Sequence, residues 1–111
     1  MKDREAPFLA GRRVSHIHGI GVGGMGLGPL AIYLSKMGWQ VTGADAAAGE
    51  AMITQLKRAG VKLTDNQELP EGVDLVVYSS AVPIDHPIRM EARNRGIPTM
   101  RRGELLAELA R

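Results

Sequence analysis

The chain of 111 residues contains no cysteine, has only 4% aromatic residues, and its two signs of charge nearly balance. Without cysteine it forms no disulfide and no thiolate metal site, as expected of a cytoplasmic protein. No apolar run approaches the roughly 18 residues that a membrane-spanning helix needs, and the N-terminal Met1–Glu5 segment lacks the apolar stretch of a signal peptide. A net charge of +2 is too small to indicate a nucleic-acid partner. We therefore expect no membrane, nucleic-acid or metal partner.

The length suits one domain with one core. Residues 1–12 are polar with one small apolar patch, and we predict that they form a flexible tail preceding a domain over 13–111. Five short apolar segments predict strands, and helical spacing of apolar residues predicts helices between them and after the last. The predicted strands cover 13–18, 39–44, 61–64, 74–78 and 97–100.

Three predicted helices end at a glycine that directly precedes a strand: Gly38, Gly60 and Gly96. This repeated helix–glycine–strand pattern is typical of βαβ units and a parallel sheet. We predict an α/β fold, a Rossmann-like three-layer sandwich with a five-stranded parallel sheet in the order 3-2-1-4-5. Pro98 cannot donate to a ladder, so we place it either on a strand at the sheet edge or at the start of the fifth strand. Ligands of such sheets bind beyond the carboxyl ends of the strands.

A glycine-rich loop joins the first strand to the first helix. Two overlapping registers fit the G-x-G-x-x-G pattern, one with Gly21, Gly23 and Gly26 and one with Gly19, Gly21 and Gly24. Closely spaced glycines let backbone amides approach a phosphate at the positive end of the following helix. The pattern alone is a weak signal, but it predicts an anion site.

Polar residues also follow three further predicted strands, at the same carboxyl edge of the predicted sheet. Asp45 could accept hydrogen bonds from ribose hydroxyls or act as the N-cap of the second helix. Ser79 and Ser80 suit a polar ligand or a simple turn. Arg101 and Arg102 match phosphate geometry, and they could equally contact a partner domain or begin a solvated helix.

Histidines and the remaining arginines are assigned mainly structural roles. His18 ends the first strand, where a structural hydrogen bond and a ligand contact both remain possible; His86 is expected to cap a helix that begins at Pro87. His16 and His18 lie on one side of the strand, but no third ligand is close in sequence, so we predict no metal site. Nearby basic residues predict a solvated helix face: Arg89, Arg93 and Arg95.

Several of these segments resemble the Mur ligases. The glycine loop, Gly21-Val22-Gly23-Gly24-Met25-Gly26, is similar to the G-x-G-G-x-G signature of that family. Further similar segments follow in the family's order, at 41–45, 79–87, 92–93, 96–98 and 101–109. The resemblance covers 13–110. The departures from the family pattern are Leu27, Pro29, His86 and Gly103.

The resemblance implies a domain that binds UDP-N-acetylmuramate. The glycine loop, from Gly21 through Val22, Gly23, Gly24 and Met25 to Gly26, would bind the diphosphate through its backbone N–H groups. Asp45 and the segment Ser79-Ser80-Ala81 would hold the ribose and uracil end. The remaining substrate-binding candidates are His18, Arg101 and Arg102.

The resemblance also implies a parent enzyme that uses ATP and Mg²⁺ to join L-alanine to the muramyl carboxylate through an acyl phosphate. No Gly-Lys-Ser or Gly-Lys-Thr occurs here, so we expect this chain to be a non-catalytic fragment without cofactor. Its partner would be its own missing ATP-binding domain. Three alternatives remain: a ligase that recycles murein peptides, an NAD(P)-binding module, and a complete regulatory nucleotide binder.

Overall fold

The computed structural model describes residues 8–9, 11–22, 27–44, 49–65 and 67–110. These residues form seven strands and four helices. The strands are β1 (Phe8–Leu9), β2 (Arg12–Arg13), β3 (His16–Ile20), β4 (Gln40–Ala44), β5 (Lys62–Leu63), β6 (Leu75–Tyr78) and β7 (Thr99–Arg101). The helices are α1 (Leu27–Lys36), α2 (Glu50–Arg58), α3 (Pro87–Arg95) and α4 (Arg102–Leu109). None of the helices described is long and apolar enough to cross a membrane.

Five strands form one parallel sheet in the order β5-β4-β3-β6-β7. This confirms the predicted α/β class with a five-stranded parallel sheet. The predicted order 3-2-1-4-5 counted only five strands, whereas an N-terminal hairpin adds two and shifts the numbering. The chain moves outward from the central β3 to β5, then returns to β6 on the other side. The order therefore reverses at β3, where ligands of open α/β sheets bind.

Two hydrophobic clusters cover the two faces of the sheet, because successive side chains of a strand alternate between faces. Leu75 and Val77 pack in one cluster together with residues of α1, α2 and α4. Val76, between them in sequence, packs in the other cluster with Ile88 and Ala92 of α3. The burial of Leu75, Val76 and Val77 explains the nearly continuous apolar sequence of β6, as expected of a central parallel strand.

An N-terminal hairpin lies largely within the segment predicted as a flexible tail over 1–12, of which the structure describes residues 8–9 and 11–12. β1 pairs with β2 in antiparallel fashion, and Gly11 turns the chain between them with φ of 76°. Leu9 is 4% exposed and belongs to the core. Two-residue strands are too short to show an alternating pattern, so no periodic signal marks them in the sequence. Arg13 pairs with Phe8 in the hairpin, so the central strand, predicted over 13–18, starts only at His16.

The predicted helix ends are confirmed. Gly38, Gly60 and Gly96 have φ values of 109°, 96° and 72°, a left-handed conformation that favours glycine. At the start of α3, the His86 Nδ1 atom accepts a hydrogen bond from the backbone N–H of Ile88 at 3.1 Å. β7 forms an edge of the sheet and starts directly after Pro98, which agrees with the placement predicted from the proline.

Candidate functional site

Four strands end level with one another at the carboxyl edge of the sheet. Ile20 of β3 pairs with Ala44 of β4 and with Tyr78 of β6, and Tyr78 pairs with Arg101 of β7. These four residues are the last of their strands. The glycine loop, the segment after Ala44, the Ser79 turn and helix α4 therefore leave the sheet side by side. We call this edge the rim.

Gly21 joins the glycine loop to both neighbouring strands. Its N–H donates to the carbonyl of Ala44 at 2.8 Å, and its φ is 88°. A Cβ added to Gly21 would lie 3.3 Å from the Oγ atom of Ser79. The structure thus places two predicted site residues, Gly21 and Ser79, beside each other, with no room for a side chain between them. The close approach and the left-handed backbone both explain why glycine stands at this position.

The glycine loop is anchored by the side chain of Val22, which is fully buried. Gly19 and Gly43 are paired in register on neighbouring strands, and a Cβ on either would lie 2.7 or 2.6 Å from Val22 Cγ1. The two glycines therefore form a recess that the valine side chain fills. A Cβ on Gly28 of α1 would lie 2.7 Å from the Val22 carbonyl oxygen, so the helix also packs closely on the loop. Only the backbone of Val22 can serve the predicted anion site.

Five predicted binding residues lie outside the described part of the chain: Gly23, Gly24, Met25, Gly26 and Asp45. Of the two glycine registers, the structure assigns Gly19 to the interior of β3, as part of the recess for Val22. The alternative role of Asp45 as the N-cap of the second helix is wrong, because Gly49 occupies the N-cap of α2.

His18 has a structural position. Its side chain is 0% exposed, and its Nδ1 atom lies 2.6 Å from the Oγ1 atom of Thr42 on the neighbouring strand. The Nε2 atom of His16 lies 2.9 Å from the same hydroxyl. Burial, and then the nearby His16, lower the pKa of His18 to about 4. The imidazole is therefore neutral at pH 7 and is not available at the surface of the rim. Between its two predicted roles, the structure supports the structural hydrogen bond.

Ser79, Ser80 and Ala81 form a tight turn after β6, closed by a hydrogen bond from the Val82 N–H to the Ser79 carbonyl at 3.0 Å. We call Ser79–Val82 the serine turn. Ser79 is half-buried, whereas Ser80 and Ala81 are exposed. Ser79 therefore faces the glycine loop, while the exposed residues are open to a ligand.

Ser80 and the two predicted arginines share one cleft. Its volume is about 430 Å³, and it is lined by Ser80, Arg101, Arg102, Gly103, Glu104 and Ala107. The Glu104 carboxylate accepts a hydrogen bond from the Arg101 N–H at 2.7 Å, which fixes the start of α4. The Arg101 Nε atom lies 3.7 Å from the same carboxylate, and Arg102 is exposed beside it at the helix N-terminus. This arrangement favours an anionic ligand with hydroxyl groups.

The solvated basic face predicted for α3 is wrong at Arg89. Arg89 is half-buried; its Cζ atom lies 3.9 Å from the ring centroid of Tyr78, and its Nη1 atom donates to the Val82 carbonyl at 3.1 Å. Arg93 and Arg95 are exposed, as predicted. Arg95 also donates to the carbonyls of Leu69 and Pro70 at 3.0 and 3.1 Å. The sequence reasoning missed Arg89. The signal that could have found it is its position in the first turn of α3, the helix that follows β6.

Comparison with known sequences agrees with this arrangement. Residues 16–111 match the family described as "Mur ligase family, catalytic domain". The chain is 45% identical over 101 residues to UDP-N-acetylmuramate–L-alanine ligase of Persephonella marina, covering 89% of this chain and 22% of that relative. It is 40% identical over 102 residues to the enzyme of the same name from Nitrobacter winogradskyi, covering 90% of this chain and 22% of that relative. The chain thus spans about a fifth of the length of these curated relatives.

Solved structures show the same fold. UDP-N-acetylmuramate-alanine ligase of Thermotoga maritima superimposes with a TM-score of 0.77 at 25% identity, covering 86% of this chain and 22% of that one. A murein peptide ligase of Psychrobacter arcticus superimposes with a TM-score of 0.78 at 31% identity, covering 85% of this chain and 20% of that one. The structural likeness therefore extends to ligases of two different substrates.

Proposed function

Because the chain belongs to the Mur ligase family, we propose that it is the domain that binds UDP-N-acetylmuramate in an ATP-dependent ligase for L-alanine. The observation that carries the proposal is the rim, where four strands end level and Gly21, hydrogen-bonded to Ala44, lies beside Ser79. The names of the sequence relatives support the choice of substrate. The enzyme would act in peptidoglycan biosynthesis in the cytoplasm.

The glycine loop is the proposed diphosphate site. Its start is fixed by Gly21 and by the buried Val22, and its end leads into α1 at Leu27. A helix N-terminus carries unpaired N–H groups and a partial positive charge, which stabilise a bound phosphate. We propose that Gly23, Gly24, Met25 and Gly26 complete this site with their backbone amides.

The serine turn and Asp45 are the proposed contacts for the ribose and uracil end. Ser79 lies against Gly21, so a ligand on the glycine loop would also reach the serine turn. The cleft between Ser80, Arg101 and Arg102 can accept a further anionic or polar part of the substrate.

The chemical steps are assigned to the rest of the full-length protein. The described residues include no group of three His, Cys, Asp or Glu side chains that could hold a metal ion. We propose that, on a partner domain, ATP transfers its γ-phosphoryl group to the muramyl carboxylate and leaves as ADP. The amine of L-alanine would then attack the acyl phosphate, so that the amide bond forms while inorganic phosphate and a proton are released. The role of the present chain is to hold the nucleotide end of the substrate.

Calorimetric titration of the 111-residue chain with UDP-N-acetylmuramate, and separately with NADH, tests the proposal. We expect heat of binding with UDP-N-acetylmuramate and a clear preference for it over NADH. Weaker binding than in a complete enzyme is expected, because neighbouring domains would help to enclose the substrate. A preference for NADH would instead support a dinucleotide-binding oxidoreductase module and overturn the proposal.

A second candidate is a ligase that recycles murein peptides onto the same nucleotide sugar. The superposition on the Psychrobacter arcticus murein peptide ligase specifically favours it. Both candidates would bind UDP-N-acetylmuramate through this domain, so binding experiments do not separate them. Assays of the full-length gene product with L-alanine and with the murein tripeptide do. Activity with the tripeptide alone would select the recycling enzyme.

A further inference from the structure

We propose that Arg89 is a positioning residue that holds the serine turn in the conformation required to bind the nucleotide sugar. The inference rests on the proposed function and adds a residue to it. Arg89 lies on α3, behind the turn. It acts through its contacts with Tyr78 and Val82.

The contacts of Arg89 bracket the serine turn. The guanidinium carbon lies 3.9 Å from the ring centroid of Tyr78, the residue immediately before the turn. The Nη1 atom donates to the carbonyl of Val82, the last residue of the turn, at 3.1 Å. One planar cation therefore joins the beginning and the end of a four-residue segment. Stacking on a ring and donation to a carbonyl together use the flat shape of the guanidinium, which lysine lacks.

Helix α3 provides a fixed base for this cation. Ile88 and Ala92 are 0% exposed and pack in the hydrophobic cluster on their face of the sheet. His86 caps the helix by accepting from the Ile88 N–H. The backbone of Arg89 is thus held between a capped helix end and two buried neighbours. Because the backbone is already ordered, holding the turn costs the rotamer entropy of the Arg89 side chain but no further ordering of the helix.

The serine turn transmits this constraint to the rim. Ser79 lies beside Gly21, the first residue of the glycine loop, and Ser80 lines the cleft with Arg101 and Arg102. A shift of the turn would therefore move both proposed contact regions at once. Arg89 itself stays on the side of α3, so it acts on ligand affinity through the turn.

The test compares Arg89→Met, Arg89→Lys and Arg93→Met in the 111-residue chain. Methionine keeps much of the apolar part of the arginine side chain but removes the positive charge and the planar guanidinium group with its N–H donors. We expect Arg89→Met to weaken binding of UDP-N-acetylmuramate about tenfold, because one cation–π contact and one charged hydrogen bond are lost. Arg89→Lys should recover only part of the loss. Arg93 is exposed on the same helix, and its substitution should leave the affinity unchanged.

Two further readouts separate positioning from simple stabilisation. Affinities are measured at a temperature at which thermal unfolding curves show every variant fully folded. Backbone amide spectra of the ligand-free variants should change at Ser79, Ser80 and Ala81 in Arg89→Met and not in Arg93→Met. A lowered melting temperature with unchanged affinity and unchanged turn spectra would overturn the inference. If the unsubstituted chain does not bind the nucleotide sugar, the proposed function fails and this inference with it; equal binding by Arg89→Met refutes the inference alone.

Discussion

Lowering the pH from 7 to 4.5 is expected to destabilise the fold through His18. The imidazole is fully buried, one ring nitrogen lies 2.6 Å from the Thr42 hydroxyl, and the Nε2 atom has no hydrogen-bond partner among the described residues. Protonation would place a charge in the core beside His16. Burial, followed by the effect of His16, therefore lowers the pKa of His18 from 6.5 to about 4 in the folded protein.

The sign of the effect follows from the protons bound by each state. Between pH 6.5 and pH 4 the unfolded chain binds a proton at His18 and the folded chain does not, so stability falls as the pH falls. The shift corresponds to about 3 kcal/mol in total, of which about 2–3 kcal/mol should be lost between pH 7 and pH 4.5. Burial also lowers the pKa of His16, so that residue acts in the same direction.

Urea unfolding followed by fluorescence measures this loss. The chain has one tryptophan, Trp39, which is 8% exposed and donates to the Val14 carbonyl at 3.1 Å. Its emission therefore reports on the folded core. The free energy of unfolding is determined at several values between pH 7 and pH 4.5. This range lies above the pH at which Asp74 titrates, since hydrogen bonds from Ser15 and His16 outweigh its burial and lower the pKa of its carboxyl group.

His18→Asn provides the decisive comparison. Asparagine can bond to Thr42 but cannot take a proton, so the variant should lose much of the pH dependence even if it is less stable at pH 7. His86→Asn is the control, since asparagine is a good helix cap. Burial and the nearby Arg89 lower the pKa of His86 as well, but its side chain is only partly buried, so this variant should lose a smaller part of the pH dependence. An unchanged slope in His18→Asn would refute the argument, and so would a slope in His86→Asn that falls as far.

Three further predictions concern the glycines. Gly43→Ala should lower the free energy of unfolding by about 1–3 kcal/mol, because its Cβ would clash with Val22. Gly103→Ala is the control: its Cβ would meet nothing within 4 Å, so urea unfolding should show a neutral or stabilising effect. Equal effects of the two substitutions would contradict the proposal that Val22 fills a recess at Gly43. Gly21→Ala should weaken nucleotide-sugar binding more than Gly72→Ala, because both have positive φ but only Gly21 faces Ser79; equal affinities by calorimetry would count against that contact. Gly24→Val should abolish that binding while circular dichroism stays unchanged, and retained affinity would mean that the diphosphate binds elsewhere.

The sequence alone determined the architecture and the position of the rim. The spacing of apolar residues predicted a five-stranded parallel sheet, and the glycines at 38, 60 and 96 marked the helix ends. Such signals are local, because helical periodicity and the left-handed glycine conformation depend on neighbours in sequence. The predicted meeting of Ser80 with Arg101 and Arg102 followed from topology, since parallel strands end at the same edge.

The tertiary structure alone decided how side chains pair across the sheet. Val22 fills a recess between Gly19 and Gly43, His18 bonds to Thr42, and Arg89 stacks on Tyr78. The first two arrangements depend on the register between β3 and β4, and the third on how α3 packs beside the end of β6. The sequence does not indicate which residues form these pairs, because a one-residue slip in register would turn the same side chains to the opposite face of the sheet.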